Sequence, residues 1–163
     1  MPIVGDRTPS VLLKTPAREL HGVFSPDGRW VAYQSNESGR NEIYVRPFVP
    51  PSRDGSADRL EGQWQVSTAG GIHPAWRPDG RGLYFLNPSA EMMAAPMTVV
   101  GGALDPGAPA VLFPTRIVGG GVDTQIGRQY DVAPDGRFLL NTELPGDATP
   151  ITLIQNWQPE AKN

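Results

Sequence analysis

The chain repeats one four-residue turn sequence, Pro-Asp-Gly-Arg, at Pro26–Arg29, Pro78–Arg81 and Pro134–Arg137. The copies lie 52 and then 56 residues apart, and each stands between two short apolar runs. In such a turn Pro presets φ, Asp bonds nearby backbone and Gly takes the left-handed residue that follows. A hairpin that recurs at this spacing predicts a tandem array of one structural unit.

Each unit is predicted to contain four strands, which we call A to D in chain order. Strand A precedes the Pro-Asp-Gly turn, and strand B follows it with a nearly continuous apolar run typical of burial on both faces. The predicted B strands are Trp30–Ser35, Gly82–Asn87 and Phe138–Thr142; the C strands are Glu42–Phe48, Glu91–Met97 and Ile151–Trp157; the D strands are Gln63–Thr68 and Pro109–Thr115. The C strands are expected to end or bulge at Pro47 and Pro96, and Val49–Gly62 and Gly101–Ala108 are predicted loops.

The third unit lacks a D strand of its own, and the N-terminal segment Pro9–Thr15 matches Pro109–Thr115 almost position for position. The strand order is therefore D-ABCD-ABCD-ABC. Tandem four-stranded antiparallel units predict an all-β fold, a β-propeller domain over residues 1–163 with three blades per chain. Because propellers typically have about four to eight blades, we expect a homodimer that closes a six-bladed ring by exchanging its N-terminal strands. The alternative is that the chain is a C-terminal fragment of a longer propeller.

Composition narrows the functional classes. A net charge of −3, with two Lys and scattered Arg, argues against a nucleic-acid-binding face. The absence of Cys excludes disulfides and thiolate metal sites. There is no apolar run of membrane-spanning length and no apolar signal region near the start, so a soluble chain is expected and its compartment stays open.

Several phrases in the chain resemble the TolB-type, WD-like propeller repeats. The resemblance is strongest to the C-terminal propeller segment of bacterial, especially acidobacterial, eukaryotic-like serine/threonine protein kinases. The phrases that carry it are the three Pro-Asp-Gly turns, Glu42–Phe48, Trp64–Ser67, Arg128–Val132 and the pair Asn156-Trp157. If the chain is part of a longer member of that family, the resemblance implies an extracytoplasmic location.

The resemblance implies a module that senses, scaffolds or binds protein and small-molecule partners, without catalysis by the propeller itself. The chain has no phosphate-covering Gly loop, no His-Arg-Asp and no Asp-Phe-Gly, so the kinase domain is absent. A non-catalytic module is therefore expected, in a kinase-related system. The alternative function is a small six-bladed hydrolase or lyase with an axial His site, and a third possibility is a domain that only dimerises or regulates a kinase encoded elsewhere.

A candidate ligand site follows from the repeat. His21 and His73 each lie five residues before the turn Pro, and Gln129 takes that position in the third unit. One polar side chain per unit would then stand near one mouth of the channel. The structural alternative, favoured here, is that each caps backbone or bonds a neighbouring unit. The carboxylate or third His that a metal site needs is missing from this position, so no metal and no cofactor are predicted.

Asp131 completes the candidate site because it replaces an apolar residue on the third axial strand, where it would face the channel or pair with Arg77 or Arg128. The Gly-rich insertion Gly119–Gln125 could cover the channel mouth, or it could be a tolerated surface loop. Two other series are predicted to be structural. The acids Asp27, Asp79 and Asp135 serve the turns, and the four Trp, at positions 30, 64, 76 and 157, pack between blades.

Overall fold

The computed structural model describes residues 11–13, 15–49 and 62–143, which form antiparallel sheets and no helix. The chain is all-β in these ranges, as the sequence predicts. Within them no helix is available that could cross a membrane. The strands are β1 (Glu19–Phe24), β2 (Trp30–Ser35), β3 (Glu42–Pro47), β4 (Trp64–Gln65), β5 (Ile72–Trp76), β6 (Gly82–Leu86), β7 (Glu91–Val100), β8 (Ala103–Pro106), β9 (Ala110–Pro114), β10 (Tyr130–Val132) and β11 (Phe138–Leu140).

The first two units have the predicted four-stranded order. Strands β1 to β4 form one antiparallel sheet in chain order, and β5, β6, β7 and β9 form the second. The B strand β2 has the predicted bounds, and β6 is one residue shorter than predicted. Both are buried along their whole length, and each is an inner strand of its sheet. In the third unit β10 pairs with β11, and Leu139 on β11 is 76% exposed.

The three turns have the conformation that their sequence predicts. Gly28, Gly80 and Gly136 have φ of 71°, 73° and 85°, the left-handed region in which Gly carries no steric cost. The acid before each Gly accepts a hydrogen bond from the Arg amide two residues on, at 3.0–3.1 Å. The structural interpretation of the turn acids is therefore confirmed.

The second unit differs from the prediction after Pro96. Strand β7 continues to Val100, and β8 pairs with it where a loop was predicted. Pro96 is the position where β7 changes neighbour, since Gly82 on β6 pairs with Pro96 and Pro106 on β8 pairs with Met97. Gly101 and Gly102, with φ of 58° and 88°, supply the two left-handed residues of a tight hairpin. In the first unit β3 does end at Pro47, as expected.

Two apolar layers lie between successive units. One includes Trp30 and Ile43 of the first unit together with Trp76 and Phe85 of the second. The other joins residues of the second unit, such as Tyr84 and Met92, to Tyr130 and Phe138 of the third. Trp30 and Trp76 are 5% and 8% exposed, so their predicted packing role is confirmed; Trp64 packs edge-on against Trp30, and Trp157 lies outside the described residues.

The predicted strand exchange falls mostly outside the described residues. Of the segment Pro9–Thr15, residues 11–13 form no strand in the single chain, and Val11 is 76% exposed. The predicted strand over 9–15 is therefore absent at residues 11–13. Its proposed neighbour, Ile151–Trp157, is not among the described residues, nor is most of the loop Val49–Gly62.

Candidate functional site

The two histidines occupy equivalent β-bulges on β1 and β5, the A strands of the first two units. The pairing register shifts between Leu20 and Val23 on β1, and between Ile72 and Ala75 on β5. Within these bulges His21 has φ of 54° and His73 has φ of 56°. A left-handed conformation is uncommon for a residue with a Cβ, and a bulge re-aims the side chain it contains. Both imidazoles are consequently turned toward one point.

The two imidazole rings contact each other at that point. Their centroids are 4.5 Å apart and the ring planes are almost perpendicular, at 88°. The His73 side chain is 4% exposed and the His21 side chain is 23% exposed. The structure therefore brings two of the three repeat-equivalent polar side chains into direct contact.

Asp123, from the Gly-rich insertion, completes a cluster of three side chains of the types that commonly bind metal ions. Its Oδ1 lies 3.9 Å from His21 Nε2 and 3.9 Å from His73 Nε2. The carboxylate side chain is only 5% exposed, although its neighbours Val122 and Thr124 are exposed. The structure thus supplies the carboxylate that is missing from the repeat position itself.

Gln34, fully buried on β2, positions both the carboxylate and one histidine. Its Nε2 donates to Asp123 Oδ2 at 3.0 Å, and its Oε1 accepts the His73 backbone N–H at 3.3 Å. The other carboxylate oxygen accepts the Gln125 N–H at 3.0 Å. These contacts hold Oδ1 toward the two imidazoles before any ligand arrives.

The Gly-rich loop reaches the cluster because its glycines allow a close approach to the β6–β7 turn. Gly119 and Gly120 have φ of 83° and 61°. At Gly121 a Cβ would lie 2.2 Å from the backbone oxygen of Asn87 and 2.5 Å from backbone atoms of Pro88. Only Gly fits at this contact. The loop is therefore packed against the second unit, and it brings Asp123 to the two histidines.

Burial and the neighbouring groups shift the pKa values of His73 and Asp123. Burial, reinforced by the neighbouring His21 and Arg128 and opposed by Asp123, lowers the pKa of His73 to about 4. Burial alone would raise the pKa of Asp123, but the hydrogen bonds from Gln125 and Gln34 and the two imidazoles lower it below its ordinary value. At neutral pH His73 is therefore neutral and Asp123 is ionised, which are the protonation states that bind metal ions.

Three imidazole nitrogens of the cluster form no hydrogen bond within the described part of the chain. His21 Nε2 and both ring nitrogens of His73 are buried without a hydrogen-bond partner among the described residues. Buried polar atoms are normally satisfied, so each exception calls for an explanation. A nitrogen lone pair turned toward a carboxylate and a second imidazole can bind a cation or serve as a proton acceptor.

The other three predicted site residues lie apart from the cluster. Gln129 directly precedes β10, and its backbone carbonyl accepts the Asn141 N–H at 2.9 Å. Its amide nitrogen donates to the Ile126 carbonyl and its amide oxygen accepts from Asn141. Arg77 forms an ion pair with the turn residue Asp79 at 3.0 Å. Asp131 pairs with Arg128 at 3.2 Å, the second of its two predicted partners.

A pocket of about 400 Å³ lies beside the cluster, between the A strands of the three units. His21 and Pro74 line it from β1 and β5, and Asp131 lines it from β10 together with Arg128. A second pocket, of about 360 Å³, shares Arg128 and Asp131 and continues along the strands to Trp76. His21 thus belongs both to the buried cluster and to the wall of the pocket.

Arg128 and Tyr130 fix the third unit against the second at this pocket. Arg128 donates to the carbonyls of Pro74, at 3.2 Å, and Tyr130, at 3.0 Å. The Tyr130 hydroxyl donates to the His73 carbonyl at 2.6 Å and also lies 3.2 Å from the Tyr84 carbonyl. Burial raises the pKa of Tyr130 well above its ordinary value, so its hydroxyl stays a donor. The backbone of the His73 bulge is therefore held from two units.

Asp123 is the residue that sequence reasoning did not single out. The available signal was the insertion itself, since Asp123 is the one acid in Gly119–Gln125.

No protein-family model matches the chain, and no curated protein matches it either.

Proposed function

We propose that the chain is a non-catalytic, TolB-like β-propeller module that binds a protein or small ligand at the pocket between its axial strands. The observation that carries the proposal is that equivalent strands β1, β5 and β10 from all three units line one pocket. A repeat array that directs unlike side chains into a shared concavity is the usual design of a binding surface in such folds. Sensing or scaffolding in a kinase-related system remains the role implied by the resemblance.

The pocket favours a ligand with a hydrogen-bond-donating or cationic group. The Asp131 side chain is 71% exposed and uses only one carboxylate oxygen to bond Arg128. Arg128 is anchored by three hydrogen bonds, so it holds that carboxylate in place. Apolar side chains such as Val23 and Trp76 continue the pocket, which suits an extended peptide with one basic and one apolar side chain.

A pocket-filling variant tests this proposal. Gly22 lines the pocket, and a Cβ at this position would meet only Val31 Cγ1 at 3.9 Å. Gly22→Leu should therefore fold and occupy the pocket. Phage-displayed random 12-residue peptides selected on the wild-type chain should lose at least about tenfold in affinity for Gly22→Leu, or about 1.4 kcal/mol. Failure to enrich any peptide, or equal binding to both proteins, would contradict the proposal.

The cluster favours a second candidate function, a hydrolase or lyase with an axial His site. The observation in its favour is that His21 belongs to both the pocket wall and the His73–Asp123 cluster. The two candidates differ in what happens to a bound molecule. Mass spectrometry of a selected peptide after long incubation should return it intact if the module only binds.

We further propose that two chains close a six-bladed ring. This proposal is supported by the strand order of the first two units and by apolar side chains on open parts of the described surface, such as Phe24 and Leu139, which are 57% and 76% exposed. Light scattering should give twice the chain mass of 17.6 kDa, and deletion of residues 1–15 should give monomers or aggregates, because a strand edge is left unpaired. A folded monomer, or a truncated chain that still dimerises, would refute strand exchange.

A further inference from the structure

We propose that His21, His73 and Asp123 bind one divalent transition-metal ion, with Zn²⁺ the best match to the donor set. In a tetrahedral Zn²⁺ site with bonds of about 2.1 Å, two ligand atoms lie about 3.4 Å apart. Both His–Asp separations are 3.9 Å, so each exceeds this distance by roughly 0.5 Å. The ligand atoms of all three residues lie within 4.8 Å of one another, so the three side chains would close around an ion by moving toward their common centre.

The unsatisfied imidazole nitrogens are an independent observation that points to a cation. His73 is more than nine-tenths buried, yet neither of its ring nitrogens has a hydrogen-bond partner among the described residues. His21 Nε2 is also buried and has no hydrogen-bond partner there. Burying such groups without a partner is costly. A metal ion bound by one nitrogen of each ring would remove most of that cost.

The backbone around the cluster is constrained in a way that a ligand site would explain. Both histidines take a left-handed conformation that costs on the order of 1 kcal/mol or more for a residue with a Cβ. The same conformation recurs at the same position in two units, whereas Gln129, which lies outside the cluster, precedes a strand that pairs in regular register. The bulge is therefore found in the two units whose histidines contact each other, and it is not a general feature of this position in the repeat.

The donor chemistry selects the class of ion. Ca²⁺ and Mg²⁺ prefer sites made of oxygen ligands, whereas two imidazoles and one carboxylate suit Zn²⁺ and its neighbours in the transition series. Three protein ligands leave at least one coordination position of Zn²⁺ unfilled. Because His21 also lines the pocket, an ion in the cluster would lie next to the proposed ligand site.

The competing interpretation is a purely structural one. The perpendicular packing of two imidazoles at 4.5 Å is a favourable aromatic arrangement. In this interpretation the sole role of Asp123 is to attach the loop to the sheet through its hydrogen bond with Gln34. This interpretation predicts that substitutions change stability but that metal ions have no effect. Metal binding separates the two interpretations, and it does so whether or not a peptide binds the pocket.

The experiment uses the tag-free full-length chain, stripped with EDTA and then titrated with ZnCl₂ by calorimetry and with CoCl₂ by absorption spectroscopy. We expect one ion per chain and visible Co²⁺ bands of a low-coordinate nitrogen–oxygen site. His21→Asn, His73→Asn and Asp123→Asn should each weaken Zn²⁺ binding by about 100-fold or more, since even outer-shell changes cost about 10–100-fold. Asn is chosen for the histidines because it tolerates the left-handed conformation.

Asp105→Asn is the matched control, because Asp105 is an exposed acid on β8 and does not belong to the cluster. It should bind Zn²⁺ like the wild type. If a histidine variant fails to fold, the ring-proton NMR signals of His21 and His73 in the wild-type chain give a second test, since both should shift together on Zn²⁺ addition. No binding by the wild-type chain, or equal binding by wild type and Asp123→Asn, would overturn the proposal.

Discussion

Glu42→Ala is expected to lower the free energy of unfolding by about 3 kcal/mol, since buried hydrogen-bonding groups lose their partner. Glu42 is fully buried on β3. Its carboxylate accepts hydrogen bonds from the Ser67 hydroxyl and from the Gly70 N–H at 3.0 Å, and Arg40 pairs with it at 2.6 Å. The substitution leaves the Ser67 and Gly70 donors buried and unpaired, at the connection between the first two units. Urea denaturation measures the change.

Two control variants separate the contributions to this effect. Glu143 is exposed, and its backbone N–H, bonded to the Arg116 carbonyl, is unaffected by substitution. Glu143→Ala should therefore stay within about 0.5 kcal/mol of wild type. The Arg40 side chain is 61% exposed, so Arg40→Ala should cost under about 1 kcal/mol. If Arg40→Ala were as damaging as Glu42→Ala, the ion pair and not the buried donors would carry the stability.

Gly121→Ala is expected to displace the loop that carries Asp123. The added Cβ would lie 2.2 Å from the Asn87 backbone oxygen, a contact that side-chain rotation cannot relieve. We expect a loss of about 2 kcal/mol in unfolding free energy from overpacking. In the wild-type chain the Gln125 backbone N–H donates to Asp123 Oδ1. We expect this amide to lose its protection from hydrogen exchange in the variant. Urea denaturation and amide exchange measure the two effects.

Gly120→Asn is the control for the neighbouring position. Gly120 has φ of 61°, and a Cβ there would meet nothing within 4 Å. Since Asn tolerates the left-handed region, this variant should keep the Gln125 amide protected and cost under about 1 kcal/mol. Loss of protection in Gly120→Asn as well would mean that the loop is generally sensitive, and that the contact with Asn87 is not what holds it.

The strands of the first two units could be predicted because their signals are local. A Pro-Asp-Gly turn defines where β1 ends and β2 begins, and the apolar run that follows defines how far β2 extends. The same holds for β5 and β6. A local signal for β8 is also present, in the pair Gly101-Gly102, but a Pro inside a strand predicts that the strand ends or bulges there. Pro96 instead marks a change of pairing partner within β7.

The site could be predicted only in part, because repeat equivalence carries some of its residues and tertiary packing supplies the rest. The repeat brings His21 and His73 to equivalent positions, and the structure brings them into contact. It fails at Gln129, whose strand pairs without a bulge. Asp123 arrives from an insertion with no counterpart in the first unit, and its place depends on Gly121 and on Gln34, 89 residues earlier. No periodicity in the chain encodes that contact.

The left-handed backbone at His21 and His73 restricts which amino acids these two positions can accept in related or engineered chains. Gly, Asn and Asp adopt that conformation readily, whereas Val, Ile and Thr are strongly disfavoured there. A selection for folding alone would therefore admit Gly or Asn at both positions. Histidine retained at both in the face of that freedom would be a signature of selection for its imidazole chemistry.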